Sequence, residues 1–116
     1  VRRHDREKIF VSLEHLEEAL AEQLEAVRKA IYEKALNRRQ EMTYTASTFD
    51  EMKDIAEHKP GFVKAMWCGD LACEEKIKEE AGLSSRCIPF EQEQIAATCV
   101  CCGKPAKSMV YWGKSY

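Results

Sequence analysis

Six cysteines are the residues of this chain best suited to chemistry, and all of them lie between residues 68 and 102. Five of them fall in two short stretches, CGDLAC (68–73) and CVCCG (99–103). An even number of cysteines in a short chain can form a disulfide framework. Here the clustering of the cysteines, the few glycines and a long charged helix favour a thiolate metal site instead. Two pairs of thiolates are typical ligands of tetrahedral zinc.

The first pair of cysteines lies where a predicted strand passes into a predicted helix. Cys68 ends the strand, Gly69 permits a turn, and Cys73 falls in the first turn of a helix capped by Asp70. Amide groups at the start of a helix stabilise a thiolate. We therefore expect the pKa of Cys73 to be lowered.

The second pair must come from Cys99, Cys101 and Cys102. Adjacent cysteines splay their side chains apart, whereas a Cys-x-x-Cys-Gly turn points both sulfurs inward and gives its glycine a positive φ. The pattern therefore selects Cys99 and Cys102, and we expect Cys101 to point elsewhere. No histidine, aspartate or open ligand position accompanies the four thiolates, which favours a structural over a catalytic zinc. The predicted metal ligands are Cys68, Cys73, Cys99 and Cys102.

The remaining cysteine and the nearby basic residues have less specific roles. Cys87 lies in mid-strand, and we interpret it as a small buried residue and not as a redox thiol. Four thiolates around one zinc ion leave a net charge of about −2. Basic side chains near the site either offset that charge or contact a nucleic-acid phosphate, and the sequence does not separate these uses. They are Arg86, Lys104, Lys107 and Lys114.

The composition limits the class of protein. A length of 116 residues fits one domain, or one small domain with an appended element. A net charge of −2 argues against a generic nucleic-acid coat protein. No apolar run approaches the length of a membrane span, so no membrane association is expected. Val1 begins in the middle of a pattern with no signal peptide after it, and we interpret the chain as a piece of a longer one.

The N-terminal third is predicted to contain a hairpin and one long helix. Residues 1–11 are interpreted as a β-hairpin, with two short strands around a polar turn. Ser12 has the side chain of an N-cap for a helix over 12–41. Leucines and other apolar residues recur along this helix at steps of three and four, and we expect the stripe to pack on its own domain.

The rest of the chain alternates strands with helices. The predicted strands are 42–48, 62–67, 84–90 and 106–112, with helices capped by Thr48 and Asp70. The order β-α-β-α-β-β predicts an α+β fold, a two-layer α/β sandwich with its helices on one face of a mixed sheet. A structural zinc site would link its parts, and the hairpin and long helix would precede it.

Three stretches resemble one known family. PGFVKAMWCGDLACEEKIKEEAG, SRCIPFEQE and CVCCGKPAKSMVYWGKSY are similar to the C-terminal zinc-binding domain of prolyl-tRNA synthetases of the archaeal/eukaryotic-like form, which are class II aminoacyl-tRNA synthetases. VRRHDREKIFVSLEHLEEAL resembles the end of the anticodon-binding domain. The resemblance implies that 1–11 ends that domain, 12–41 is a connecting helix and 42–116 is the zinc-binding domain. The four predicted ligands match the family's zinc positions one by one, and Cys101 falls at a non-ligand position.

The resemblance implies an enzyme of which this chain is a part. The full-length ligase would attach proline to tRNA(Pro) using ATP and Mg²⁺, as a cytoplasmic homodimer. No class II catalytic motif is found in these 116 residues, so we expect no catalytic residue here and an inactive fragment whose partner is the remainder of the synthetase. Tyr116 matches the family's terminal tyrosine, which implies an approach to the active site of the full enzyme.

Two other function classes remain as alternatives. One is a freestanding, zinc-ribbon-like nucleic-acid-binding module, which a strongly basic aromatic face would favour. The other is a thiol redox module that uses Cys101 or Cys87 with a zinc thiolate, which reversible zinc release with a measured disulfide would favour.

Overall fold

The computed structural model describes residues 1–115, which divide into two compact units, one of residues 1–40 and one from Glu41 onward. A turn of 3-10 helix covers Leu13–His15. The helices are α1 (Leu16–Glu41), α2 (Phe49–His58) and α3 (Leu71–Ala81). The strands are β1 (Thr43–Thr45), β2 (Phe62–Trp67), β3 (Leu83–Cys87) and β4 (Ser108–Lys114).

The first eleven residues form a turn and irregular chain instead of the predicted hairpin. The N–H of Arg2 donates to the carbonyl of Glu7 at 2.8 Å, and the N–H of Arg6 donates back to Arg2 at 2.9 Å. The Arg2 guanidinium also forms ion pairs with Asp5 and Glu7. A lone two-stranded hairpin is marginally stable. The described part of this unit contains no further strand that could extend one, so the prediction of two strands was wrong.

The long helix is present, and its start agrees with the prediction. The Ser12 hydroxyl accepts a hydrogen bond from the N–H of Glu14 at 3.4 Å, at the beginning of the 3-10 turn. No residue of α1 is buried, and Leu24 in its apolar stripe is 71% exposed. The expectation that the stripe packs on its own domain is therefore wrong within residues 1–40, where its side chains stay partly or fully exposed.

The four strands form one mixed sheet in the order β1-β2-β4-β3. β1 runs parallel to β2, and β4 runs antiparallel to both β2 and β3. The order along the chain is the predicted β-α-β-α-β-β, so the α+β fold class is confirmed. The strand over 62–67 has the predicted bounds, whereas the other three begin or end two to three residues away from prediction.

The two short helices begin and end at residues with clear local signals. Thr48 and Glu51 form the predicted capping box at the start of α2, with each side chain bonded to the other residue's backbone. The carboxylate of Asp70 accepts from the N–H of Ala72 at the start of α3. Gly82 ends α3 with φ of 67°, a conformation in which glycine meets no steric penalty.

The two faces of the sheet are covered in different ways. Alternate strand residues such as Val63 and Trp112 pack with Met52 of α2 and Ile77 of α3 in the main core. On the opposite face, the irregular segment 88–97 is attached by side chains. Its Gln92 amide pairs with the backbone of Met109 through Oε1 (2.6 Å) and Nε2 (3.4 Å). A salt bridge of 2.6 Å joins Glu93 to Lys64.

Among the described residues, no helix combines the length and the apolar composition that crossing a membrane requires.

Candidate metal centre

The four predicted ligands lie together, and their sulfur atoms are all within 4.8 Å of one another. The sulfur of Cys68 is 3.7 Å from that of Cys73 and 3.7 Å from that of Cys102. Zinc–sulfur bonds of about 2.3 Å in a tetrahedron place neighbouring sulfurs about 3.8 Å apart. All six cysteines are free thiols. The spacing and chemistry of this donor set therefore fit a tetrahedral zinc ion.

Cys68 and Cys73 are positioned by the turn between β2 and α3. Gly69 has φ of 87°, so the chain turns sharply after the strand and the N–H of Asp70 donates to the Cys68 sulfur. Asp70 caps α3, which carries Cys73 in its first turn. The indole N–H of Trp67 donates to the carbonyl of Asp70 at 3.2 Å. Asp70 is thus bonded through both its N–H and its carbonyl, and these bonds stabilise the turn.

Cys99 and Cys102 lie in a tight loop that folds back on itself. The N–H of Cys99 donates to the carbonyl of Lys104 at 2.7 Å, and that of Gly103 donates to the carbonyl of Cys99 at 3.1 Å. Gly103 has the predicted positive φ, of 70°. The N–H of Val100 donates to Met66 at 2.9 Å, which joins the loop to β2 next to the first pair of cysteines.

Burial and a backbone amide shift the pKa values of Cys68, Cys73 and Cys102 in different directions. Burial raises the pKa of Cys68 and, more strongly, that of Cys73, because a buried site disfavours the charged thiolate. The predicted lowering for Cys73 is therefore wrong, since desolvation and the neighbouring thiols outweigh the amides of α3. Cys102 is exposed, and the backbone N–H of Lys104 lowers its pKa to about 7.

The two cysteines outside the cluster occupy different environments. Cys101 is half-buried, and it packs against both the main core and the three buried cysteines. It is not one of the four grouped sulfurs. Cys87 was expected to be buried but is exposed, because β3 is an edge strand and Cys87 is its last residue.

The structure separates the four basic residues that the sequence placed near the site. Lys104 and Lys107 line an open cavity of about 510 Å³ together with Cys68 and Asp70. A Cβ added to Gly69 would lie 3.1 Å from Cδ of Lys107, so that side chain rests on the glycine. Arg86 instead donates hydrogen bonds at the end of β4, where Lys114 lies.

Some residues that shape the site were not visible in the sequence. The amides of Asp70 and Lys104 donate to ligand sulfurs, but every non-proline residue carries such an amide, so residue type gives no signal. The available clue is a glycine directly after Cys68 and another directly after Cys102. Tyr116, the other site residue suggested by resemblance, lies outside the described residues.

The fold and the cysteine cluster together define an α+β domain with four cysteines that could hold a metal ion. Residues 49–116 match the family model described as prolyl-tRNA synthetase, C-terminal. The chain belongs to this family, as the resemblance implied.

The relatives that the chain matches are much longer than the chain itself. It is 62% identical over 116 residues to the proline–tRNA ligase of Clostridium novyi (strain NT), and 58% identical to proline–tRNA ligase 2 of Bacillus thuringiensis (strain Al Hakam). Each match covers 100% of this chain and 24% of the relative. The chain thus spans about a quarter of the length of these curated relatives.

Solved structures of prolyl-tRNA synthetase also match the whole of this chain. Prolyl-tRNA synthetase from Cryptosporidium parvum, complexed with L-proline and AMP, is similar with a TM-score of 0.91 and 34% sequence identity. The same protein complexed with halofuginone and AMPPNP gives a TM-score of 0.90. Each covers 100% of this chain and 25% of the matched chain. The freestanding nucleic-acid-binding and redox modules are not favoured by these matches.

Proposed function

We propose that this chain is the C-terminal part of a proline–tRNA ligase that uses ATP and Mg²⁺ to attach proline to tRNA(Pro). The observation that carries the proposal is that all 116 residues of this chain are similar to proline–tRNA ligases. The chain covers 24% of the length of those ligases. A relative solved with L-proline and AMP supports the choice of substrates. The complete ligase would work as a cytoplasmic homodimer, in which the remainder of the synthetase is the partner of this chain.

The proposed domain boundaries follow the family. Residues 1–11 would end the anticodon-binding domain, 12–41 would be the connecting helix, and 42–116 would be the zinc-binding domain. Support for the last two comes from the family match over 49–116 and from the helix that ends at Glu41. Tyr116 would approach the active site of the complete enzyme.

The proposed zinc is structural, and its ligands are Cys68, Cys73, Cys99 and Cys102. When bound, zinc would neutralise part of the thiolate charge and join the end of β2, the start of α3 and the loop at 99–103. The four grouped cysteines would occupy all four positions of a tetrahedron around zinc, which would leave none for a substrate or an activated water. The fragment supplies no catalytic group, and the chemistry belongs to the remainder of the enzyme.

Metal analysis and activity assays on the same preparations test both parts of this proposal. We expect one zinc per chain by elemental analysis, with an intact mass that shows six reduced thiols. The full synthetase should perform proline-dependent pyrophosphate exchange and charge tRNA(Pro), whereas the 116-residue fragment should do neither. Absence of metal would refute the zinc site. Exchange by the fragment, or no charging by the full synthetase, would refute the assignment of function.

A further inference from the structure

Two lysine side chains lie beside the cysteine cluster, one next to each pair of cysteines. Lys104 and Lys107 both line the open cavity that reaches Cys68. Their ammonium groups form no ion pair with a carboxylate among the described residues. Asp70 lines the same cavity, but its carboxylate accepts a hydrogen bond from the N–H of Ala72 at 3.2 Å. The positive charge of both lysines is thus available to the cysteine cluster.

A backbone hydrogen bond attaches Lys107 to the first pair of cysteines. Its N–H donates to the carbonyl of Trp67 at 2.8 Å, and Trp67 directly precedes Cys68 in the chain. A Cβ added to Gly69 would lie 3.1 Å from Cδ and 3.5 Å from Nζ of Lys107. The stem and the ammonium group of Lys107 therefore lie over the glycine that directly follows Cys68.

Lys104 is attached by its backbone to the second pair of cysteines. Its carbonyl accepts from the N–H of Cys99 at 2.7 Å, and its own N–H donates to the sulfur of Cys102. The backbone makes both contacts, and the side chain lines the cavity with Lys107. Each lysine side chain thus starts from a backbone position that is bonded to one part of the cysteine site.

We infer that Lys104 and Lys107 are counter-charges of the loaded zinc site and raise its affinity for the metal. The inference rests on the proposed zinc, whose geometry the four cysteines fit. Free thiols are largely protonated near neutral pH, whereas four thiolates around one zinc ion carry a net charge of about −2. The site therefore becomes more negative when zinc binds, and nearby positive charge stabilises the loaded form relative to the empty one. Two lysines match this charge in number and in sign.

A nucleic-acid phosphate is the other anion that a pair of lysines recognises. Two observations favour the zinc site. The side chain of Lys107 lies along the turn that follows Cys68, where its charge is close to a ligand. The whole chain has a net charge of −2, which does not favour a polyanion as partner. Binding of tRNA(Pro) is therefore included in the test as the competing outcome.

The zinc affinity of the complete synthetase, measured by competition with a chelator at constant pH, tests the inference. Lys107→Met keeps an apolar stem over Gly69 and removes the charge. Because exposed charges interact weakly, we expect a loss of about threefold in zinc affinity from Lys107→Met or Lys104→Met, and of about tenfold from both together. Lys107→Arg keeps the charge and should bind zinc like the wild type.

Lys114→Met is the matched control, because it removes the same charge at the far end of β4. Lys114 is six positions beyond Ser108 at the start of that strand, which is about 20 Å at about 3.3 Å per residue. Screening acts over about 8 Å in physiological salt, so this variant should bind zinc like the wild type. For the same reason, the losses at Lys104 and Lys107 should shrink between about 0.05 M and about 0.5 M salt.

Two outcomes would overturn the inference while leaving the zinc site intact. The first is unchanged zinc affinity in the double variant; weaker binding of tRNA(Pro) by that variant would then assign the lysines to phosphate. The second is a loss of zinc affinity that is equal in Lys107→Met and Lys107→Arg, or equal in Lys107→Met and Lys114→Met, since neither result depends on a nearby charge. A wild-type synthetase without zinc would instead refute the zinc site itself, and the inference with it.

Discussion

Cys101 and Cys102 are neighbours in sequence, yet they have different surroundings. Cys102 is exposed and its sulfur is grouped with three others, whereas Cys101 is half-buried and packs against them without joining the group. A structural zinc site contributes about 10–16 kcal/mol in small peptides, compared with a typical domain stability of about 5–15 kcal/mol. We expect Cys102→Ser to lower both the melting temperature and the zinc content. The matched control, Cys101→Ser, should change neither. Equal shifts, measured by thermal unfolding and elemental analysis, would mean that the wrong cysteine is assigned.

The pKa of Cys102 predicts a change in how metal affinity depends on pH. Ligand thiols must lose their protons to bind zinc. Above pH 7 the free Cys102 thiol, with a pKa of about 7, is already ionised, and below pH 7 its proton must be displaced. Cys68 and Cys73 have raised pKa values and release their protons on both sides of pH 7.

The logarithm of zinc affinity should therefore rise with pH, and the rise should be steeper below pH 7 by about one proton per metal. Competition titrations with a chelator of known pH dependence, between pH 5.5 and 8.5, measure this slope. A constant slope across the range would contradict the lowered pKa of Cys102.

At the scale of elements, the capping box of α2 should contribute measurably to stability. The hydroxyl of Thr48 accepts from the N–H of Glu51 at 3.3 Å, and Glu51 bonds back to the N–H of Thr48. Loss of an N-cap side chain costs about 1 kcal/mol, which lowers the melting temperature of a domain of this size by about 4–8 °C. Thr48→Ala should show this shift. Ser47→Ala removes an adjacent exposed hydroxyl that is not the N-cap, and it should melt like the wild type. An unchanged melting temperature in Thr48→Ala would show that the cap contributes nothing.

Sequence reasoning succeeded for the elements whose signals are local. The caps at Thr48 and Asp70, the glycine at 82 and the spacing of four cysteines each depend on a few neighbouring residues. The strand predicted over 84–90 ends at Cys87 instead, and beyond that point the side chain of Gln92 bonds with the backbone of Met109. That contact joins residues 17 positions apart, so no local sequence pattern predicts it.

At the scale of the whole molecule, the sequence predicted the sheet better than the N-terminal unit. The sheet core is complete within the second unit, where alternating strands and capped helices bury one another's apolar faces. The stripe on α1 is exposed. The chain covers about a quarter of the length of its curated relatives. A hairpin at 1–11 would need neighbouring strands, which the described residues do not provide. The patterns at 1–11 and along α1 therefore could not be interpreted from local sequence alone.

The pairing of Gln92 with Met109 also bears on how this domain avoids self-association. β3 ends at Cys87, opposite Tyr111, so the next part of β4 has lost its neighbouring strand. Unpaired backbone groups along a strand are a template for another chain to add to, which is a route to aggregation. The amide of Gln92 offers the N–H and carbonyl of Met109 one acceptor and one donor, as a strand would. A single side chain thus pairs the backbone of Met109, whose N–H and carbonyl would otherwise be open to a strand of another chain.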